Sequence, residues 1–484
     1  MRPTISKSSG CLPAVFMLAS LLLSGCSLEP AYERPASPVT FLRPGQEMPT
    51  EAPDTSSLFT DEEAQLLDSL DHSKQLRTLV AGALAHDRDY QIILLRVEEA
   101  RAEYGIANAE RLPAVQLSGE MVRQQFDNRS LNEVNGQRYA TASIGISNYE
   151  LDFFGRMRSM SKAARHRFLS TQLGQQAARK ALITEVARQY LVLRSANDVV
   201  KKADLLLNYQ QSLVEISKHQ VNAGALSRED FKKTAQALDM AEQHAAEAVQ
   251  RVKAARNALE LMSGYRSPIR TVGELPSVWE PDQADAAWLV NLHSEKLLER
   301  YDVRAAEERL KAANASIGAA RAAFFPSVQL STGAGVASEH FHDLFSHSTG
   351  TWLFMPQVNI PIFDGGRNQS NLDLANIRKD IAVATYERTI QRAFKDMADA
   401  FFERDALMQR IRSQAALNEL AQDQLATRQA QLSRGDVSKL DELNALIQAV
   451  ETSQVLSETK LRIQFNMLNL YQILYGADAT AVVS

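Results

Sequence analysis

From Arg367 to Arg434 the chain contains neither glycine nor proline. A tract this free of breakers, dense in Ala, Leu, Gln, Arg and Glu, favours helix. Unbroken, at about 1.5 Å per residue, it would run on the order of 100 Å. No compact globular domain is that wide, so the tract predicts an elongated bundle or coil. Gln175–Ala223, Ala225–Ser263 and Asp436–Tyr475 are breaker-free in the same way. Apolar residues three or four apart, Leu169, Leu173 and Ala177 in one tract and Ile390, Phe394, Met397 and Phe401 in another, mark one stripe along each helix.

The chain is also a repeat. Leu112-Pro113-Ala114-Val115-Gln116-Leu117-Ser118 returns as Phe325-Pro326-Ser327-Val328-Gln329-Leu330-Ser331, 213 positions later by proline. Leu151-Asp152-Phe153-Phe154-Gly155-Arg156 returns as Ile360-Pro361-Ile362-Phe363-Asp364-Gly365-Gly366-Arg367, and Gly224 before Asp230 returns as Gly435 before Asp441, both 211 positions later by glycine. Duplication explains this economically. Each half reads as a short helix, a strand pair, a very long helix, a turn and a second long helix. In the strand pairs Val328, Leu330, Thr332, Ala334 and Val336 alternate with Gln329, Ser331, Gly333 and Gly335. Trp352, Phe354, Pro356 and Val358 alternate with Leu353, Met355 and Gln357 across a polar loop from Ser338 to Gly350. The first half repeats the pattern more weakly through Val115, Leu117 and Met121, then Ala142, Ile144 and Ile146. Ten-residue alternating segments edged by Tyr139, Tyr149, Trp352 and Phe354 resemble transmembrane barrel strands. Four strands cannot close a barrel, and open edges are not tolerated in lipid. Several copies must therefore share one barrel, and three copies would supply twelve strands.

The N-terminus carries Arg2 and Lys7, an apolar run from Leu12 to Leu23, and then Ser24-Gly25-Cys26, the layout of a secretory signal. The run is short of the roughly 20 residues of a membrane-spanning helix. Leu23-Ser24-Gly25-Cys26 also looks like a lipobox, in which Cys26 receives diacylglyceryl and acyl lipid and becomes the first mature residue. Cleavage there removes Arg2, Lys7 and Cys11 and leaves 51 Lys+Arg against 58 Asp+Glu, a net charge of -7, with Cys26 the remaining cysteine. No intrachain disulfide is then possible, so burial or oligomerisation must hold an exported chain together. The acidic balance offers no footprint for nucleic acid.

These residues resemble the TolC-like outer-membrane factors of tripartite efflux and type I secretion systems, and among them the OprM-like lipoproteins of RND pumps. The resemblance covers essentially the whole mature chain. Its most specific pieces are Cys26-Ser27-Leu28-Glu29-Pro30-Ala31-Tyr32-Glu33-Arg34-Pro35, Ile317-Gly318-Ala319-Ala320-Arg321-Ala322-Ala323-Phe324-Phe325-Pro326 and Pro361-Ile362-Phe363-Asp364-Gly365-Gly366-Arg367. It implies a mainly α fold with a β-barrel portion: long helical hairpins from two tandem repeats form a periplasmic α-barrel, and four strands per chain join a homotrimeric twelve-stranded outer-membrane barrel. It implies a conduit with no catalysis and no cofactor beyond the Cys26 lipid. The expected partners are outer-membrane lipid, a periplasmic membrane-fusion adaptor and an inner-membrane RND transporter, without nucleic acid. Ser27 after the lipidated cysteine resembles the sorting pattern of outer-membrane lipoproteins. The organisation expected is a signal peptide (1–25), a lipid-anchored strap and equatorial segment (26–85), repeat 1 (86–264, strands about 113–125 and 139–151), a linker (265–298), repeat 2 (299–476, strands about 326–336 and 351–363) and a tail (477–484).

In the family the hairpin tips close the tunnel and carry acidic rings. The matching positions are Asp230 and Asp441, with Asn444 where a second aspartate often stands. Leu432 and Val437 occupy the positions of a tyrosine and arginine that latch some members closed, so this chain departs from that latch. The plainer reading makes Asp230 and Asp441 helix N-terminal acids stabilised by the dipole, and Gly224 and Gly435 turn residues. His340, His342 and His347 read as a polar surface loop, since no organised carboxylate or cysteine set joins them. No phosphate loop, nucleophile elbow or HExxH is present, so an enzyme has no support. Drug efflux leads, followed by heavy-metal efflux and then type I protein export. A non-conducting coiled-coil tether is the distant alternative, and it has no use for four alternating strands.

Overall fold

The computed structural model describes residues 28–35, 58–72, 74–135, 137–264, 295–346 and 349–474. Two units separate, residues 1–50 and 51–484. In the first, Leu28–Pro35 is irregular and exposed. Cys26, Ser27, His347, the linker as far as 294 and the tail lie outside the described residues.

The second unit begins with α1 (Asp61–Leu70), α2 (Gln75–His86) and α3 (Arg88–Ala109). The strands and their companion helices follow as β1 (Val115–Gln124), α4 (Arg129–Asn135), β2 (Gln137–Leu151), α5 (Arg156–Asn222) and α6 (Arg228–Ser263). The second half holds α7 (Glu295–Leu298), α8 (Tyr301–Ala322), β3 (Ser327–Ser338), β4 (Gly350–Asn359), α9 (Arg367–Arg434) and α10 (Lys439–Leu474). The repeat is therefore visible in the order of elements. Both longest helices start after a left-handed glycine, Gly155 (φ 77°) and Gly366 (φ 86°), where the entering chain must turn sharply and a Cβ would be strained. β3 keeps Ser338 and β4 already includes Gly350, so the polar loop is shorter than its sequence reading, and it contains a 3₁₀ turn, Phe341–Asp343. β4 stops at Asn359, before the 363 expected, because its partner β3 begins at Ser327, the residue opposite.

The helical core lies where α1 and α2 meet the middle of α5. Leu67, Leu76, Val80, Ile183, Val186, Leu191 and Leu193 are buried there with Leu259 of α6 and Leu468 of α10. Thr60 starts α1 with a full capping box: its hydroxyl accepts from Glu63 N–H at 3.3 Å while Glu63 accepts from Thr60 N–H at 3.0 Å. The same Glu63 carboxylate takes two hydrogen bonds from Arg179 of α5, at 3.1 and 2.9 Å. A smaller cluster joins Leu297, Ala400, Leu470, Ile473 and Leu474. The predicted stripes are half-buried at Leu169, Leu173, Ala177, Ile390, Met397 and Phe401, while Phe394 is exposed.

The four strands form one antiparallel sheet in the order β1-β2-β3-β4. Its register gathers Val115, Leu117, Met121, Ala142, Ile144, Ile146, Val328, Leu330, Ala334, Val336, Trp352, Phe354 and Val358 on one face. The other carries Gln116, Ser118, Glu120, Thr141, Ser143, Gln329, Ser331 and Gln357, interrupted by Leu353 and Met355 of β4. A bulge between Ile146 and Tyr149 bends β2, with Asn148 at φ 53° and its N–H donating to Ser331 Oγ at 3.0 Å. Beside the bend β2 and β3 approach so closely that a Cβ on Gly145 would lie 2.2 Å from Thr332 O, and one on Gly335 2.1 Å from Ala142 O. Only glycine fits at either position.

Candidate functional site

Three places on this scaffold bear on passage through a membrane: the sheet with its edges, the junction between sheet and helices, and the helical hairpin tips. At the sheet, among the described residues, β1 pairs only with β2, and β4 only with β3. Two ten-residue edges are therefore open, and every residue of β4 is exposed. The apolar face is exposed as well, at Val115, Leu117, Met121, Ile144, Trp352, Phe354 and Val358. Such a sheet is satisfied in lipid only when both edges find partners. Among the described residues no helix is long and apolar enough to cross a membrane.

At the junction, Arg156 opens α5 and reaches back to Glu150 through two hydrogen bonds, at 2.8 and 2.5 Å. Asp152 accepts from Met157 and Arg158 N–H at 3.1 and 2.9 Å, and Asp364 from Gly366 and Asn368 N–H at 3.0 and 2.9 Å. The first turns of both long helices are thus capped by an aspartate that precedes a glycine. A cavity of 290 Å³ opens beside them, lined by Glu150, Ser327 and Asn359 from the polar face of the sheet and by the stacked rings of Phe154 and Phe325, 4.7 Å apart. The repeat made these segments visible in the sequence; it carried no sign of the ion pair.

At the tips, Gly224 (φ 74°) and Gly435 (φ 84°) lie in the left-handed region with open space where a Cβ would stand. Their requirement is conformational, as turn residues. Ser227 N-caps α6: its Oγ accepts from Asp230 N–H at 3.0 Å and its hydroxyl donates to the Asp230 carboxylate at 2.8 Å. Ser438 does the same before α10, with Asp441 N–H at 3.3 Å, its own hydroxyl donating at 2.6 Å and its N–H donating at 3.0 Å. Both aspartates thus pair with the serine that caps their helix, and Asp441, which also accepts from the Ser438 N–H, completes a capping box; the Ser-x-x-Asp spacing was present in the sequence. The Ser227 hydroxyl and then Lys233, 3.2 Å away, hold the Asp230 carboxyl below the usual carboxylate range. For Asp441 the Ser438 hydroxyl and N–H do so, with help from the charge of Arg428. Both side chains are exposed. Asn444, one turn beyond Asp441, is exposed too, whereas Glu442 and Leu443 between them are buried. Leu432 and Val437 are half-buried, and the charged pair at this turn is Arg434 with Asp436, 3.4 Å apart.

No group of three potential metal ligands exists among the described residues. The rings of His340 and His342 lie 5.4 Å apart, and His342 pairs with Asp343 at 3.2 Å. Asn128 accepts from Ser130 and Leu131 N–H and so opens α4.

The profile of outer membrane efflux proteins matches residues 79–265 and 292–476. The chain is 35% identical over 470 residues to the cation efflux system protein CusC of Escherichia coli (strain K12), covering 94% of this chain and 97% of that one. It is 33% identical over 471 residues to the outer membrane protein OprJ of Pseudomonas aeruginosa, covering 95% of each. A crystal structure of CusC superposes with a TM-score of 0.71 at 33% identity, over 93% of this chain and all of that one. Channels of this family are trimers that work with adaptor and inner-membrane pump components, catalyse nothing and need no cofactor. With its open sheet on long helical hairpins, the chain belongs to the outer membrane efflux protein family and is an outer-membrane channel that extends into the periplasm.

Proposed function

We propose that this channel is the exit duct of a tripartite RND-type pump, exporting drugs or other toxic small molecules. Three copies close one barrel by pairing β4 of each with β1 of the next, so that the polar face lines the lumen. The observation that carries this reading is the four-stranded sheet: apolar on one face, polar on the other, and open along two ten-residue edges. In this reading Cys26 is lipidated and holds the N-terminus at the membrane. The tips at Gly224 and Gly435 form the periplasmic end, where Asp230, Asp441 and Asn444 ring the constriction and favour cations. The capping serines favour the charged form of Asp230 and Asp441. The 35% identity to a cation efflux protein supports heavy-metal export as the second reading.

In-cell cross-linking followed by purification tests the proposal. A trimer recovered with a periplasmic adaptor and an RND transporter is the expected result. Drug and copper or silver susceptibilities of a strain lacking the chain then separate the two cargo classes. Recovery with an ABC transporter would replace the reading by protein export.

A further inference from the structure

We infer that Arg123 and Arg138 form a seat for the phosphate of a lipid headgroup in the outer leaflet. The register sets Arg123 of β1 directly opposite Arg138 of β2. Directly opposed residues on neighbouring strands have Cβ atoms about 4.5–5.5 Å apart, and like charges in that relation are destabilising. Both side chains are exposed, and neither forms an ion pair or side-chain hydrogen bond among the described residues. The neighbouring carboxylates do not relieve them: Glu133 is committed to Arg129 at 3.2 Å, Asp127 makes no ion pair among the described residues, and Glu120 stands on the opposite face of β1 opposite Thr141. Two unneutralised guanidiniums side by side favour a bound anion.

Their place in the sheet says which anion. Alternation puts both arginines on the face that carries Val115, Leu117, Met121, Ala142, Ile144 and Ile146. Arg123 lies eight residues beyond Val115, about 27 Å along the strand, at the end that closes against α4 and away from the helices. The helices extend into the periplasm, so this end is the outer rim of the apolar band. A ligand seated there meets two planar forks suited to bidentate recognition of phosphate and, directly below, an apolar wall. A phosphate-bearing amphiphile satisfies both, its chains lying along the wall. Inorganic phosphate uses only the forks.

The test uses the purified full-length trimer in detergent, with native mass spectrometry and titration against bis-phosphorylated lipid A, its dephosphorylated form and inorganic phosphate. Wild type binds the bis-phosphorylated lipid at least about tenfold more tightly than the dephosphorylated one, in line with the strength of a charged hydrogen bond. Arg123→Gln with Arg138→Gln removes that preference, each single variant removes part of it, and Arg129→Gln leaves it unchanged. Inorganic phosphate at equal concentration does not displace the lipid. Equal binding of the two lipids by wild type would overturn the inference without recourse to any variant. So would a double variant that forms trimers and still prefers the phosphorylated lipid, or displacement by inorganic phosphate.

Discussion

Glu63→Gln should loosen the attachment of α1 to the long helix α5. The carboxylate is buried and receives two hydrogen bonds from Arg179, at 3.1 and 2.9 Å, along with the Thr60 N–H at 3.0 Å. Burial works against the Arg179 charge, but Glu63 outweighs it and holds the guanidinium pKa up. The amide keeps the volume and an acceptor for Thr60, and leaves Arg179 without a carboxylate, with the Leu58 carbonyl at 2.7 Å and the Tyr90 side chain as its partners outside the pair. Stranding one charge of a fully buried pair costs roughly 3–5 kcal/mol. The Arg179 side chain is 21% exposed, so screening reduces the expected cost to about 2–3 kcal/mol. Hydrogen exchange measures this locally, free of the trimer's concentration dependence: amides of Leu67 and Leu70 should exchange roughly 30- to 150-fold faster. Glu63→Leu with Arg179→Leu, which strands no charge, should cost less than the sum of the single changes. Protection of α1 unchanged in Glu63→Gln, or strict additivity in the double variant, would refute the idea that the pair anchors this helix.

Gly145→Ala and Gly335→Ala each drive a methyl into backbone of the neighbouring strand, at 2.2 and 2.1 Å, and should each cost at least about 2 kcal/mol. Loss of heat-resistant trimers on gels is the readout, with Gly350→Ala, which meets nothing within 4 Å, as the control. Glu308 bridges α8 to α5 through His166 at 2.6 Å; burial raises its pKa, but the His166 and Lys311 hydrogen bonds prevail and lower it. A depressed carboxylate stabilises the fold above the ordinary value near 4.5 and loses that contribution as pH falls through the folded value, so Glu308→Gln should flatten the acid limb of thermal stability below that ordinary value. Asp230→Asn with Asp441→Asn keeps a capping acceptor while removing charge and should lower cation preference in single-channel recordings with the tips still folded. Unchanged preference would assign these acids to capping alone.

How far a sequence shows its fold depended here on how local the cause is. The absence of glycine and proline is local, and Arg367–Arg434 is one helix as expected. Alternation is local too, and it placed Val328 through Val336 and Trp352 through Val358 on strands. The tip glycines signalled left-handed turns. The Ser-x-x-Asp caps were equally readable, because serine and aspartate three apart across a helix start satisfy each other. Long-range partners left no mark: Glu63 meets Arg179, Lys202 donates to Ser457 at 2.6 Å, and Asn466 to the Ala400 carbonyl at 2.9 Å. The bend at Asn148 was hidden because its cause, an unpaired residue opposite β3, exists only once a register is chosen.

The duplicated helices are almost equal in length and unequal in burial. In α5 the buried set includes Ile183, Val186, Tyr190, Leu191 and Leu193, because α1 and α2 cover it. In α9 it comprises Ala375, Ala393, Ala400, Leu407 and Ala421, while Ile377, Ile381, Phe402, Leu417 and Leu420 remain exposed. A helix that buries mainly alanine within its own chain lacks the apolar burial from which most helical stability in proteins derives. The same chain leaves both edges of its sheet open. Two unsatisfied surfaces of different kinds, one apolar and one of backbone hydrogen-bonding groups, argue that assembly completes the fold. Stability should then rise with protomer concentration, and Phe402→Glu, which places a charge among the exposed apolar side chains of α9, should shift trimers toward monomers in detergent. A variant that assembles as wild type would show that this helix face is wet in the trimer and that the strand edges alone drive association.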